Sequence, residues 1–235
     1  MVFAIRTTRA FASDMRDLSG MLAHMGGLAQ SQVAHVIEAL ATGDREIARE
    51  VVAGDAAIDA MQRTIGERVV GTIARRQPVA VGLREVLGIW AIASELERIG
   101  DLAKDIGKRI QAINGENMTP GSTLGLRHMA LAVLGQLRDV LDSLVQRDVK
   151  MAVDVWARDE DVDRLCAQLS RELVGRMAQD PDAVMLGIQL LFCTKNLERV
   201  GDHATNIAEA IYYVVEGRRL LGERPKADVT SIVTK

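Results

Sequence analysis

The chain has 235 residues and a formal net charge of −3, with 48% hydrophobic and only 3% aromatic side chains. That length supplies a sizeable core in one large or two small domains, and an aliphatic, aromatic-poor composition favours packed helices over a β-sandwich. Acids and bases are mixed along the chain with no basic domain or Arg-rich tail, which argues against nucleic acid as a direct partner.

The opening MVFAIRTTRAFASDMRD lacks the continuous apolar region of a secretory signal, so the expected location is the cytoplasm. From there apolar residues recur at helical spacing. Leu18, Leu22, Met25, Ala29, Val33, Val36 and Leu40 form one stripe that ends near Gly43-Asp44. A second runs through Ile47, Val51, Ile58, Ile65, Val69 and Ile73 and stops before Pro78. A third takes Leu83, Leu87, Trp90, Ile99, Ala103, Ile106 and Ile110. These spacings predict amphipathic helices of roughly 25 to 35 residues each.

The segment NGENMTPGS, 114–122, reads as a linker. After it come a helix near Leu124–Arg147, another over Val149–Gln179 and a third from Asp182 to about Gly217. The apolar run Val184 to Cys193 is too short to span a bilayer. The tail 222–235 has no periodic face and is expected to be mobile. Cys166 and Cys193 lack CxxC spacing and read as reduced core thiols, and Trp90 and Trp156 are expected to pack inside the bundles.

The two halves are related. His24-Met25 recurs as His128-Met129, and the same offset aligns Asp44 with Asp148, Asp55 with Asp159 and Asp59 with Asp163. A small deletion then brings Leu96-Glu97-Arg98-Ile99-Gly100-Asp101 onto Leu197-Glu198-Arg199-Val200-Gly201-Asp202. Identities at constant offset in separate blocks indicate duplication. The expected fold is all-α: two tandem three-helix bundles, 13–113 and 123–221, related by pseudo-twofold symmetry.

The candidate chemistry lies on the second and third helices of each half. Glu97, Asp101 and Asp105 lie four residues apart, drifting only about 40° per step around the helix. Their counterparts are Glu198, Asp202 and Asn206, and the second helices add Asp55 with Asp59 and Asp159 with Asp163. The bland alternative is a solvated polar face opposite Ile99, Ile106 and Ile110, with Lys104 and Lys108 pairing Asp101 and Asp105 at i+3. In the second half Glu198 and Asp202 find no base at i+3 or i+4.

Like charges at i,i+4 each cost a few tenths of a kcal/mol, and glycine inside a helix, as at Gly100 and Gly201, about 1 kcal/mol relative to alanine. Both halves accept these costs at matching positions. A cation held between the carboxylates would offset them, and the repetition favours that reading. All-oxygen ligands exclude a typical structural zinc site and favour Mg, Mn, Ca or iron. His203 points about 100° away from Asp202 and is read as a non-ligand. No Glu-x-x-His pair, phosphate-binding loop, nucleophile elbow or HExxH motif is present. Arg75-Arg76 suits a helix C-terminus, with partner binding as the alternative.

The segments IARRQPVAVGLR (73–84), ELERIGDLAKDIGKR (95–109) and NLERVGDHATNIAEA (196–210) closely resemble the hallmark segments of PhoU proteins. MLAHMGGLAQSQV and DAAIDAM are similar to that family's first repeat. The resemblance implies the two-bundle fold and acidic metal-binding motifs, which fall here on Asp55, Asp59, Glu97, Asp101 and Asp105, and on Asp159, Asp163, Glu198, Asp202 and Asn206. The cofactor expected is a divalent or transition metal ion, one of Mg, Mn, Fe or Zn.

The resemblance also implies a non-enzymatic negative regulator of the phosphate-starvation response. It would act between the ATPase subunit of a phosphate ABC transporter and a phosphate-sensing histidine kinase, peripheral to the membrane through the transporter and as a homodimer. Glu95, Asp105 and Gly82 depart from residues common in the family and bear on metal number or identity. Two rivals stay open: an accessory subunit of a secondary phosphate transporter, and a metal-dependent phosphohydrolase.

Overall fold

The computed structural model describes residues 2–113 and 120–222, with side chains at 9–113 and 123–222. Apart from 120–122 and Gly222, the linker expected at 114–122 and the tail expected at 222–235 lie outside the described residues. The first half holds helices α1 (Val2–Thr42), α2 (Arg45–Arg76) and α3 (Val81–Ala112). The second holds α4 (Pro120–Gln146), α5 (Val149–Ala157), α6 (Asp159–Gln179) and α7 (Val184–Glu216), with a 3-10 turn at Pro181–Ala183 before α7. No strand occurs among the described residues.

The first turn between helices is built the same way twice. Gly43, at φ 73°, closes α1, and the Asp44 carboxylate then accepts from the amides of Glu46 (2.8 Å) and Ile47 (3.2 Å) to start α2. In the second half Arg147 takes the left-handed position at φ 54°, and Asp148 caps α5 through Lys150 (2.9 Å) and Met151 (3.2 Å). A left-handed arginine costs roughly 1 kcal/mol that glycine avoids, and its guanidinium is tied to Glu85 at 2.6 Å.

The helix expected over Val149–Gln179 is in fact two, broken at Arg158. The Arg158 amide turns back onto Val155 (3.2 Å), and its carbonyl accepts from the Gln136 side chain on α4 (3.0 Å). Asp159, Glu160 and Asp161 then favour a fresh helix N-terminus. The aligned residue in α2 is Gly54, where the helix runs unbroken and the matching Gln32 amide instead reaches Val51 O at 3.3 Å.

The α1 stripe is core as expected, from Leu18 to Leu40. On α3 the buried face is Val86, Ile89, Ile92, Ala93 and Leu96, whereas Leu87 and Trp90 stand exposed. This corrects the expectation for Trp90: its ring lies outside, over Gly66 of α2, where an added Cβ would come within 2.6 Å. Trp156 is half-buried and donates its indole N–H to Glu209 at 3.0 Å. Cys166 and Cys193 are buried and free of disulfide, and burial pushes the Cys193 thiol up to about 12.

Between the halves α1 packs on α4 and α3 on α7, so these helices meet their own counterparts, as expected of elements beside a pseudo-twofold axis. Gly26 admits Leu141 at the first contact and Gly88 admits Val214 at the second, both closer than a Cβ would allow. Around the axis α1, α3, α4 and α7 leave a largely apolar cavity of about 340 Å³, with Glu85 and Arg147 among its lining.

Candidate functional site

In the first half α2 presents Asp55, buried at 4% exposure, and the half-buried Asp59, while α3 presents Glu97 and Asp101. An added Cβ on Gly100 would lie 3.0 Å from Ile58 Cδ1 and 3.3 Å from Asp55 Oδ1, so the glycine lets α3 approach α2 at this level. Burial raises the Glu97 carboxyl above its ordinary value, and the negative fields of Asp101, Asp59 and Asp55 add to it, against the pull of Arg98. These four carboxylates therefore act on one another.

A cation already stands among them. Lys104 Nζ donates to Asp55 Oδ2 at 2.5 Å and to Asp101 Oδ1 at 2.6 Å, bridging α2 and α3. The hydrogen bonds it donates to Asp101 and Asp55 push the lysine upward and keep it charged. Arg98 lies outside, 3.5 Å from Glu97 and 3.6 Å from Asp101. Asp105 is exposed and paired with Lys108 at 3.0 Å, a turn beyond the group.

The second half repeats the arrangement with different partners. Asp159, Asp163 and Glu198 are buried and Asp202 is half-buried. Thr205 donates its hydroxyl to Asp159 Oδ1 at 3.0 Å, and Lys195 reaches Glu198 at 2.6 Å. Burial raises the Glu198 carboxyl, with Asp202 and Asp163 adding and Lys195 opposing. No base stands at i+3 or i+4 from Glu198; Lys195 lies three residues behind it. Asn206 donates to Glu95 Oε2 of α3 at 3.0 Å, alongside His203 Nδ1, which stands 2.6 Å from the same oxygen. Asp105 and Asn206, both expected as ligands, thus pair with Lys108 and Glu95, and His203 joins the two halves.

Among the described residues no three carboxylates, imidazoles or thiols converge as ligands of one ion. The donors present are hard oxygens in facing pairs, together with buried oxygens that lack a hydrogen-bond partner: Asp55 Oδ1, Gln32 Oε1 and Gln136 Oε1. Such a set fits a hard divalent ion that keeps part of its water and takes one or two carboxylates, rather than a dry all-protein cage. Gln32 and Gln136 were not among the expected site residues, although their equivalence under the same offset was a readable signal.

Of the expected partner contacts, Arg75 is exposed at the end of α2, whereas Arg76 donates to Asp14 of α1 at 2.8 Å. None of the described helices is long and apolar enough to cross a membrane.

The PhoU domain profile matches twice, at residues 22–110 and 126–211. A phosphate-specific transport system accessory protein PhoU homolog of Rhizobium meliloti (strain 1021) is 44% identical over 94% of this chain and 94% of its own. The crystal structure of PhoU from Pseudomonas aeruginosa superposes with a TM-score of 0.86 at 36% identity, covering 88% of this chain and all of that one. That of the phosphate transport system regulatory protein PhoU from Streptococcus pneumoniae gives 0.82 at 27% identity, over 89% and 99%.

Proposed function

The chain belongs to the PhoU family, and from that premise we propose that it is a non-enzymatic accessory protein of phosphate uptake. It works in the cytoplasm as a homodimer and as a negative regulator of the phosphate-starvation response. It is a metal-binding adaptor between the ATPase subunit of a phosphate ABC transporter and a sensor histidine kinase. The observation that carries the reading is the duplicated cluster: Asp55, Asp59, Glu97 and Asp101 in one half, and Asp159, Asp163, Glu198 and Asp202 in the other. Its donor set suits Mg, Mn or Fe, bound with part of the water shell retained. Bound to the native state alone, the ion stabilises the fold by mass action.

Long, rigid helix faces supply docking surfaces for other proteins. Arg75, exposed at the end of α2, is the arginine free to reach a partner's carboxylates, since Arg76 holds α1. The test is affinity for the purified ATPase subunit and for the kinase cytoplasmic domain, with circular dichroism on the same samples. Arg75→Gln weakens binding to at least one of them and leaves the helical content unchanged. Unchanged affinity for both removes this end of α2 from the interface.

A further inference from the structure

The cavity between the repeats takes no part in the acidic clusters. Its volume, about 340 Å³, suits a small molecule, and such sites are mostly apolar with a few placed polar groups. Leu22 of α1, Ile89 and Ile92 of α3, and Ile211 and Val214 of α7 supply the apolar wall. Glu85 stands one turn before Gly88 and Ile89, so α3 carries a carboxylate onto the same face. Arg147 meets it from the end of α4 at 2.6 Å, and among the described residues these two are the cavity's charged lining.

Neither member of the pair is repeated. In the first half Gly43 holds the left-handed position that Arg147 takes at φ 54°, without the strain that a Cβ brings there. Counted along α3 and α7 at the offset that aligns Glu97 with Glu198, Glu85 corresponds to Leu186. The two unrepeated charges meet at the cavity.

The pair is also easy to open. The Arg147 side chain is 60% exposed and that of Glu85 22%, and an ion pair so open to water adds little to stability. A ligand head with a single charge would pair one member and leave the other beside a charge of its own sign. A head carrying both signs satisfies both: an ammonium takes Glu85, and a carboxylate takes the Arg147 guanidinium, a geometry that favours two parallel hydrogen bonds. The group attached to that head must then suit an aliphatic wall.

We propose that this cavity binds an apolar α-amino acid, its side chain against Leu22, Ile89, Ile92 and Ile211 and its zwitterionic head between Glu85 and Arg147. Because α1 and α3 belong to one repeat and α4 and α7 to the other, the ligand ties the repeats together and stabilises the native chain by mass action.

The test is isothermal titration of L-leucine and L-phenylalanine into the full chain, with thermal unfolding followed by circular dichroism on the same samples. Each is compared with its amide, which keeps only the ammonium, and with its deaminated acid, which keeps only the carboxylate. At least one amino acid binds saturably, and its amide and deaminated acid bind at least about tenfold more weakly. Arg147→Gly installs the residue of the first half and relieves the left-handed strain, so the midpoint without ligand holds or rises while affinity falls at least about tenfold. Glu85→Gln lowers affinity likewise and keeps the shape of the side chain. Binding that neither substitution changes places the ligand elsewhere and overturns the proposal. Equal affinity for the amide or the deaminated acid overturns it as well, and so does the absence of binding by both amino acids.

Discussion

Glu198 holds a carboxylate where burial and two neighbouring acids disfavour its charge. A carboxyl raised in the folded state contributes stability below its unfolded pKa and loses it as pH rises through the folded value. In the metal-free protein the surroundings therefore favour neutral Glu198 over its charged form, with Lys195, half-exposed, opposing them. Glu198→Gln should raise the thermal midpoint of the metal-free protein, by about 2–4 °C per kcal/mol recovered, and should reduce the rise that Mn²⁺ produces. A midpoint that falls, with the metal response intact, would assign Glu198 to structure alone. Asp101→Ala combined with Asp202→Ala should abolish the Mn²⁺ and chelator dependence while preserving helicity, as differential scanning calorimetry would show. At this scale the sequence displayed the acid pairs, because i,i+4 spacing on one helix is fixed by helix geometry. It did not display Lys104 reaching Asp55, or Gln136 reaching Arg158, because those contacts depend on how separate helices dock.

The α3–α7 pair forms the larger part of the seam between the repeats. Gly88 sits against Val214, whose Cγ2 would be only 2.2 Å from an added Cβ, and a branched side chain on a helix cannot swing aside cheaply. Gly88→Ala should cost about 1–3 kcal/mol, measurable by urea unfolding. Farther along the seam Glu95 takes His203 and Asn206 from α7. Burial alone would raise its carboxyl, but these hydrogen bonds, together with the positive fields of His203 and Arg98, outweigh burial and hold it below its ordinary value. A depressed carboxyl stabilises above its unfolded pKa, and that stability is lost as pH falls through the lower folded value. Glu95→Gln should therefore flatten the acid limb of the stability–pH profile, leaving the wild type to lose more on acidification. The helices themselves were readable from stripes and caps, since Asp44 and Asp148 announce both starts. The break at Arg158 was not: no glycine or proline marks it, and the glycine at the aligned position lies inside an unbroken α2. The Gln136 contact to the Arg158 carbonyl accompanies that boundary, and the acids that follow it favour the new helix start.

The whole molecule follows from the duplication. The first repeat packs three helices and the second four around an aliphatic core, and α1 meets α4 and α3 meets α7 across the axis, so the two acidic clusters belong to one fold. Duplication was legible because identities persisted at a constant offset, whereas the partners of the two clusters, Lys104 for Asp55 and Thr205 for Asp159, emerged only when the side chains were placed. An adaptor that restrains the starvation response must act when phosphate is plentiful. The decisive measurement is phosphate uptake and starvation-gene expression in a strain lacking this protein, grown at high and at low phosphate and complemented by the wild-type chain. Derepressed expression or excess phosphate accumulation at high phosphate, reversed by complementation, is the expected result. Normal uptake and normal expression at both phosphate levels would contradict it.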